Sequence, residues 1–280
     1  VGADAADDAA LLEAAVREAG EIALSFFRRN PAQWTKGATS PVSEADLAID
    51  AHLHARLTQA RPEYGWLSEE TADSSDRLSR RRLFVIDPID GTRAFLAGKE
   101  EWMVALAVVS DGRPVAAALV APALGDVYIA HRGGGALRNG HRIRASEVGD
   151  PAEARAAGAK ADLPVLLPVF AETVPRVPSL ALRITRVADG TLDAAFAAGN
   201  AHDWDIAAAD LLVMEAGGRL TDFTDSVPRY NTPRARHGAL FAAGATLHTA
   251  LLAKVQAPSR KSRETGSPNI PISPGARNGA

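Results

Sequence analysis

At 280 residues, 46% of them hydrophobic, the chain can form one large domain or two closely packed ones around a sizeable core, which excludes collagen-like, coiled-coil and wholly disordered chains. A net charge of −3 and a pI near 6.2 give no global positive field, so neither a nucleic-acid polymer nor an anionic membrane is an expected partner. The absence of cysteine excludes disulfides, zinc-thiolate and iron–sulfur sites and thiol nucleophiles, and leaves any metal to oxygen or imidazole ligands.

The first residues, Val1-Gly2-Ala3-Asp4, lack the basic and apolar stretches of a secretory signal, and there is no run of about 18 apolar residues. A soluble cytoplasmic protein without a transmembrane segment is therefore expected. Leu11, Leu12, Ala15, Val16, Ala19, Ile22, Ala23 and Phe26 recur at three- and four-residue steps behind Asp7 and Asp8, predicting an amphipathic helix over about 9–28. A polar loop from Lys36 to Pro41 follows. Ser43-Glu44-Ala45-Asp46 then opens a second helical period through Leu47, Ile49, Leu53 and Leu57 that must end before Pro62.

From Trp66 the pattern shortens to apolar runs between turn residues. Strands are predicted at 83–86, 103–109, 114–120 and 127–131, with hairpin turns at Asp111-Gly112 and Asn139-Gly140. Gly133-Gly134-Gly135 lies between strands and reads as a turn, not a nucleotide loop; no Walker or dinucleotide fingerprint is present. The stretch 147–168 has little period and suggests a boundary. Beyond it the order is a helix over 179–188, a strand over 192–197, a helix over 205–216, strands near Leu220 and over 239–243, and a helix from Thr246. From Ala257 the proline- and glycine-interrupted polar sequence lacks the apolar residues that would offset its ordering entropy, so a disordered tail is expected. The pattern predicts a layered α/β (α+β) architecture. Its parts are an N-terminal α+β half (1–147) with a mostly antiparallel sheet, a smaller C-terminal α/β half (148–256) and a tail (257–280).

The densest chemical signal is Phe84-Val85-Ile86-Asp87-Pro88-Ile89-Asp90-Gly91-Thr92. An apolar strand delivers Asp87 at its carboxyl end, Pro88 ends the ladder, and Asp90 returns three residues later, so two carboxylates can converge. The predicted helix start at Gly91-Thr92 offers free backbone amides and the positive end of a dipole to an anion. Carboxylates beside an anion site call for divalent cations between them, and oxygen ligation selects Mg²⁺ or Mn²⁺ over zinc. Asp-Pro and Asp-Gly are also ordinary turn pairs. Taken alone, Glu69-Glu70 reads first as a solvated acidic loop, Asp46 as the close of a Ser-x-x-Asp capping box, and Asp205 stands where an acid caps a helix. Serine, histidine and aspartate occur without a nucleophile elbow, which makes a hydrolase triad a weak competitor.

Taken jointly, Asp87-Pro88-Ile89-Asp90-Gly91-Thr92 with Phe95, and Trp204-Asp205-Ile206-Ala207-Ala208-Ala209-Asp210 with Gly217-Gly218, resemble the two signature motifs of the inositol monophosphatase superfamily of lithium-sensitive, Mg²⁺-dependent phosphatases. Lys36, Ser40 to Asp46 and Leu67 to Glu70 match its earlier motifs, so the resemblance spans about 8–255. It implies the αβαβα sandwich of the sugar phosphatases. It also implies that Glu69, Asp87, Asp90, Asp205 and the Ile89 carbonyl hold metals, with Glu70 and Asp46 near a weaker metal or its waters. Thr92, paired with Asp46, would orient or deprotonate the attacking water, and the amides of Gly91 and Thr92 would hold phosphate. Two or three Mg²⁺ per site are implied, with Mn²⁺ as a substitute, Li⁺ as an inhibitor and a homodimer by analogy; His202, just before Asp203-Trp204, reads as a residue behind the ligands or at the substrate edge, not as a ligand.

Val227-Pro228-Arg229-Tyr230-Asn231 and Leu67-Ser68-Glu69-Glu70 are similar to the CysQ-type 3′(2′),5′-bisphosphate nucleotidases. That implies hydrolysis of adenosine 3′,5′-bisphosphate to AMP and phosphate, with Tyr230 stacking on the base and Arg229 meeting the second phosphate. The alternatives are an inositol-1-monophosphatase or other sugar phosphatase and, more remotely, a metal-binding regulatory protein without turnover. The full set Asp46, Glu69, Asp87, Asp90, Thr92 and Asp205 speaks against the last.

Overall fold

The computed structural model describes residues 2–36, 40–158, 170–175 and 177–256. The expected tail at 257–280 and part of the predicted boundary stretch, 159–168, lie outside the described residues. In chain order the first elements are α1 (Gly2–Phe26), β1 (Gln33–Lys36), β2 (Ser40–Ser43), α2 (Glu44–Ala60), β3 (Gly65–Ser68), β4 (Arg82–Asp90), α3 (Thr92–Leu96), β5 (Met103–Ser110), β6 (Arg113–Ala121), β7 (Asp126–His131), β8 (Gly135–Arg138) and β9 (His141–Arg142). Then come β10 (Arg155–Ala157), β11 (Glu172–Val174), α4 (Leu180–Ala188), β12 (Ala194–Ala197), α5 (Asp203–Glu215), β13 (Gly218–Asp222), β14 (Leu240–Gly244) and α6 (Ala245–Gln256). Helix α1 begins seven residues before the predicted start, because Ala5 packs into the same core as Leu12 and Val16 and extends the apolar face.

Strands β3 to β9 form one seven-stranded sheet in sequence order, antiparallel throughout except for the parallel pair β3–β4. Both faces are covered. Phe84, Ile86, Val104, Leu106 and Val108 pack with α1 and α2, while Leu83, Val85, Met103, Ala105 and Ala107 face α4 and α5. This double burial explains why the strands read as continuous apolar runs and not as alternating ones. On the α5 side the strand residues are mostly small, and they meet Ala207, Ala208 and Ala209, which lets the helix lie close to the sheet.

The second sheet has the order β11-β10-β12-β14-β13 and is mixed, with β10 parallel to both β11 and β12. Its far face packs on α6 through Phe196, Phe241, Leu247 and Leu251. The layers are therefore α1/α2, large sheet, α4/α5, small sheet and α6, the expected αβαβα sandwich. Strands β10 and β11 are new relative to the sequence reading: at three residues each they are too short to show a period. The turn after β7 has a task beyond reversing the chain. The amides of Gly133 and Gly135 both donate to the Glu215 carboxylate at 2.8 Å and fix the end of α5 against the large sheet.

Candidate active site

The site forms where β4 breaks its own register. Asp87 pairs with Ala105 and Asp90 with Met103, so β4 carries one residue more than β5 between these points. In a regular strand, residues three apart face opposite sides. The extra residue at the Pro88 bulge resets the alternation and turns Asp87 and Asp90 to the same side. That is the side covered by α5, whose third residue is Asp205; one carboxylate oxygen from each of Asp87, Asp90 and Asp205 lies within 4.8 Å of the others. The strand itself runs through the bulge to Asp90 and does not stop at Asp87 as its proline suggested.

Each carboxylate is held differently. Asp90 Oδ2 accepts from Ser179 Oγ at 2.5 Å and from the Ala181 amide at 2.6 Å, so the start of α4 fixes its orientation. Asp205 Oδ2 accepts from the His202 amide at 2.6 Å, and this acid therefore caps α5 while also facing the cluster. Asp87 is 1% exposed, and neither of its carboxylate oxygens has a hydrogen-bond partner. Burial, followed by the charges of Glu69, Asp90 and Asp205, pushes its carboxyl well above the ordinary range. Burial and Asp205 push Asp90 up to about 6, against the lowering effect of its bonds to Ser179 and Ala181.

Glu69 enters from the neighbouring strand. Its amide donates to the Ile86 carbonyl at 3.2 Å, continuing the β3–β4 ladder by one residue and setting the side chain beside Asp87. Burial, then the charges of Asp205, Glu70 and Asp90, push Glu69 up to about 8, with Lys36 opposing. The Lys36 ammonium, on β1, donates to the Glu69 carbonyl and stands 3.4 Å from Glu70 Oε2. Glu70 is raised by burial and held down by Lys36.

Asp46 shows the capping box read from the sequence: its Oδ2 accepts from Ser43 N at 2.8 Å and from Ser43 Oγ at 2.6 Å. Its other oxygen remains directed at Thr92, with Oγ1 3.5 Å away, while the Thr92 hydroxyl donates to the Ile89 carbonyl at 3.0 Å. Burial pushes Asp46 up to about 6. Gly91, at φ 95°, is the residue between Asp90 and the one-turn helix α3; the left-handed backbone favours glycine, and an added Cβ would stand 3.2 Å from both Ser179 Cβ and the Glu101 carbonyl. A cleft of about 480 Å³ gathers Glu69, Asp87, Ile89, Asp90, Gly91, Thr92 and Asp205 with Pro41, Arg93 and Pro178.

Four carboxylates crowded into a half-buried cleft repel one another, and Asp87 has lost its hydration without gaining a partner. A divalent cation meets both conditions. The donor set is oxygen only, which fits a hard ion of the Mg²⁺, Mn²⁺ or Ca²⁺ type.

A sequence model of the inositol monophosphatase family matches residues 4–260. The chain belongs to that family. It is 32% identical over 226 residues to the 3′(2′),5′-bisphosphate nucleotidase CysQ of Aggregatibacter actinomycetemcomitans, covering 77% of this chain and 84% of that one. It is also 32% identical over 260 residues to an inositol-1-monophosphatase of Mesorhizobium japonicum, covering 89% and 95%. Among solved structures, the extragenic suppressor protein SuhB of Bartonella henselae superposes with a TM-score of 0.77 at 26% identity, over 88% of this chain and 97% of that one. The protein is thus a phosphoric monoester hydrolase of the inositol monophosphatase family.

Two residues expected at the substrate do not reach this phosphatase cleft. Tyr230 is 1% exposed, its hydroxyl donates to Asp210 Oδ2 at 2.8 Å, and its amide donates to the Gly112 carbonyl. It has no face on which a base could stack. Arg229 is exposed but lies along Gly112, in the turn after Ser110. Ser110 pairs with Arg82, five residues before Asp87 on β4 and about 16 Å away at strand rise. Conversely, nothing local in the chain pointed to Ser179 or the Ala181 amide, which sit some ninety residues from the Asp90 they hold. Nor did the sequence reveal Asp203, fully buried at the first position of α5, where it accepts from the Asn231 amide at 2.7 Å and pairs with His237 at 2.8 Å. Asn231 is thereby part of the support of α5 and not of the substrate surface.

Proposed function

We propose that this phosphatase uses Mg²⁺ held by Glu69, Asp87, Asp90, Asp205 and the Ile89 carbonyl, and that inositol 1-phosphate or a similar small polyol phosphate is its substrate. The observation that carries the metal assignment is the pair of unpartnered, buried oxygens of Asp87 beside Asp90 and Asp205. Bound cations would neutralise the carboxylates, polarise the ester and lower the pKa of a coordinated water. The chain's own groups do the rest. Thr92 orients the attacking water through its hydroxyl, which Ile89 and Asp46 fix from two sides. Asp46, raised to about 6, is poised to take up the hydroxyl proton, and Glu70, its side chain buried, is held in place by the exposed Lys36. The amides of Gly91 and Thr92 hold the phosphate, since the first amides of a helical turn have no acceptor within it.

A small polyol is favoured because Arg229 and Tyr230, the residues that would read a second phosphate and a base, face away from the cleft. A second reading, adenosine 3′,5′-bisphosphate, is favoured by the similarity to the Aggregatibacter CysQ. Phosphate release measured in parallel on inositol 1-phosphate, adenosine 3′,5′-bisphosphate and fructose 1,6-bisphosphate, with and without Mg²⁺, decides between them. The proposal expects the highest kcat/KM on inositol 1-phosphate and inhibition by Li⁺. A tenfold preference for the bisphosphate nucleotide would establish the second reading, and release that is indifferent to chelation would refute the metal assignment.

A further inference from the structure

A second concave site lies on the other side of α5, at the end of the large sheet remote from the catalytic cleft. Arg113 opens β6 and Arg132 follows β7; together with Asp210 and Met214 of α5, Leu220 of β13 and Val227 of the following loop they line a groove of about 330 Å³. Three features distinguish it from ordinary surface. Two arginines, Arg113 and Arg132, brought together by the neighbouring strands β6 and β7, line one depression. Two of the chain's exposed large apolar side chains, Met214 and Val227 at 43% and 46%, stand in its wall where either could have been polar at no cost to the core. Finally, the guanidinium groups are only partly engaged. Arg113 Nη1 donates to the Pro228 carbonyl at 2.9 Å, and its charge also faces Asp210. Arg132 is exposed and makes no ion pair among the described residues. The one carboxylate in the floor, Asp210, is occupied by the Tyr230 hydroxyl.

We propose that this groove is a second, non-catalytic binding site for a small organic phosphate with an apolar face, of the nucleoside monophosphate class. Guanidinium forks match the geometry of a phosphate monoester, and a soft methionine beside valine offers a wall for a planar base. The volume lies at the small end of ligand sites, which suits a mononucleotide and not a dinucleotide. The site shares no residue with the catalytic cleft, so it stands whatever ester that cleft cleaves.

The test uses full-length protein in Mg²⁺ buffer carrying Asp87→Asn, which leaves a folded chain that does not turn over the probe. AMP is titrated by calorimetry, with ribose 5-phosphate as the companion that has the phosphate but no base. The expected result is saturable AMP binding that weakens at least tenfold in Arg132→Ala and in Met214→Asp, and is at least threefold tighter than that of ribose 5-phosphate. Both substituted residues are exposed, and unchanged thermal midpoints verify folding; in the wild-type background Arg132→Ala should leave phosphate release unchanged. No saturable binding up to 10 mM AMP, or binding that survives both groove substitutions, overturns the proposal. Equal affinity for the two probes overturns the apolar part of the ligand.

Discussion

Replacing Asp87 with asparagine should do two opposite things: abolish turnover and stabilise the metal-free fold. The carboxylate is 1% exposed, unpartnered, and within 4.8 Å of oxygens of Asp90 and Asp205. Two unit charges at that separation repel by about 3.5 kcal/mol at an effective dielectric constant of about 20. Proton sharing within the cluster relieves part of this, and the new amide must find an acceptor among the neighbouring carboxylates. A net gain of about 1 to 3 kcal/mol in chelator remains, or roughly 2 to 5 °C in thermal midpoint for a protein of this size. In Mg²⁺ the order reverses. Wild type gains about 2.7 kcal/mol at a hundred times the metal dissociation constant, whereas the variant, short of one anionic ligand, gains much less. The assay is thermal unfolding of both proteins at pH 8 in EDTA and in saturating Mg²⁺, alongside phosphate release. A variant less stable than wild type in EDTA would show that the cluster is not under charge strain. Turnover above about a tenth of wild type in saturating Mg²⁺ would refute the ligand assignment.

Ser179→Ala should leave the fold intact but raise the Mg²⁺ concentration for half-maximal activity by about 10- to 100-fold, because Asp90 loses the hydroxyl that orients it; an unchanged metal response would refute that role. Tyr230→Phe should cost about 1 to 3 kcal/mol of stability by leaving the buried Asp210 carboxylate without its donor, with no change in relative kcat/KM between nucleotide and inositol substrates. Arg229→Ala should change neither property, and a selective loss on the nucleotide in either variant would return these residues to the substrate site. His248, stacked on Phe241 and bonded to Thr221, is pushed down to about 4, chiefly by burial and also by Arg219. Its folded pKa lies below the unfolded value, so the unfolded chain binds more protons between the two, and stability is retained above about pH 6.5 and lost as pH falls towards 4. Proton NMR of the His248 ring should show a midpoint well below 6, and one near 6.5 would contradict the burial argument.

Much of the catalytic cleft was legible in the sequence, because its residues stand in two compact segments whose local chemistry is unusual. An apolar strand ending in Asp-Pro-Ile-Asp-Gly-Thr places two acids, a bulge-forming proline and a left-handed glycine within six residues, and each constrains the backbone without help from elsewhere. The capping boxes at Asp46 and Asp205 are equally local, and both acids turned out to cap and to face the site at once. The hairpins at Asp111-Gly112 and Asn139-Gly140 follow from the tolerance of these residues for positive φ, observed at all four positions.

What the sequence could not decide was which distant segments share a surface. Ser179 reaches Asp90, and Glu69 stands beside Asp87, only because α4 and β3 are packed against the same end of β4. Arg229 and Tyr230 follow the second motif closely in the chain, and an aromatic beside a cation is the composition of a substrate edge. The loop that carries them is instead drawn under α5 by the bonds of Tyr230 to Asp210 and of Asn231 to Asp203, at the wrong end of the sheet. Local propensity is set by a few neighbouring torsions and caps. The side of a layer to which a loop folds is set by buried hydrogen bonds and apolar contacts between residues far apart in the chain, and those exist only once the layers have met.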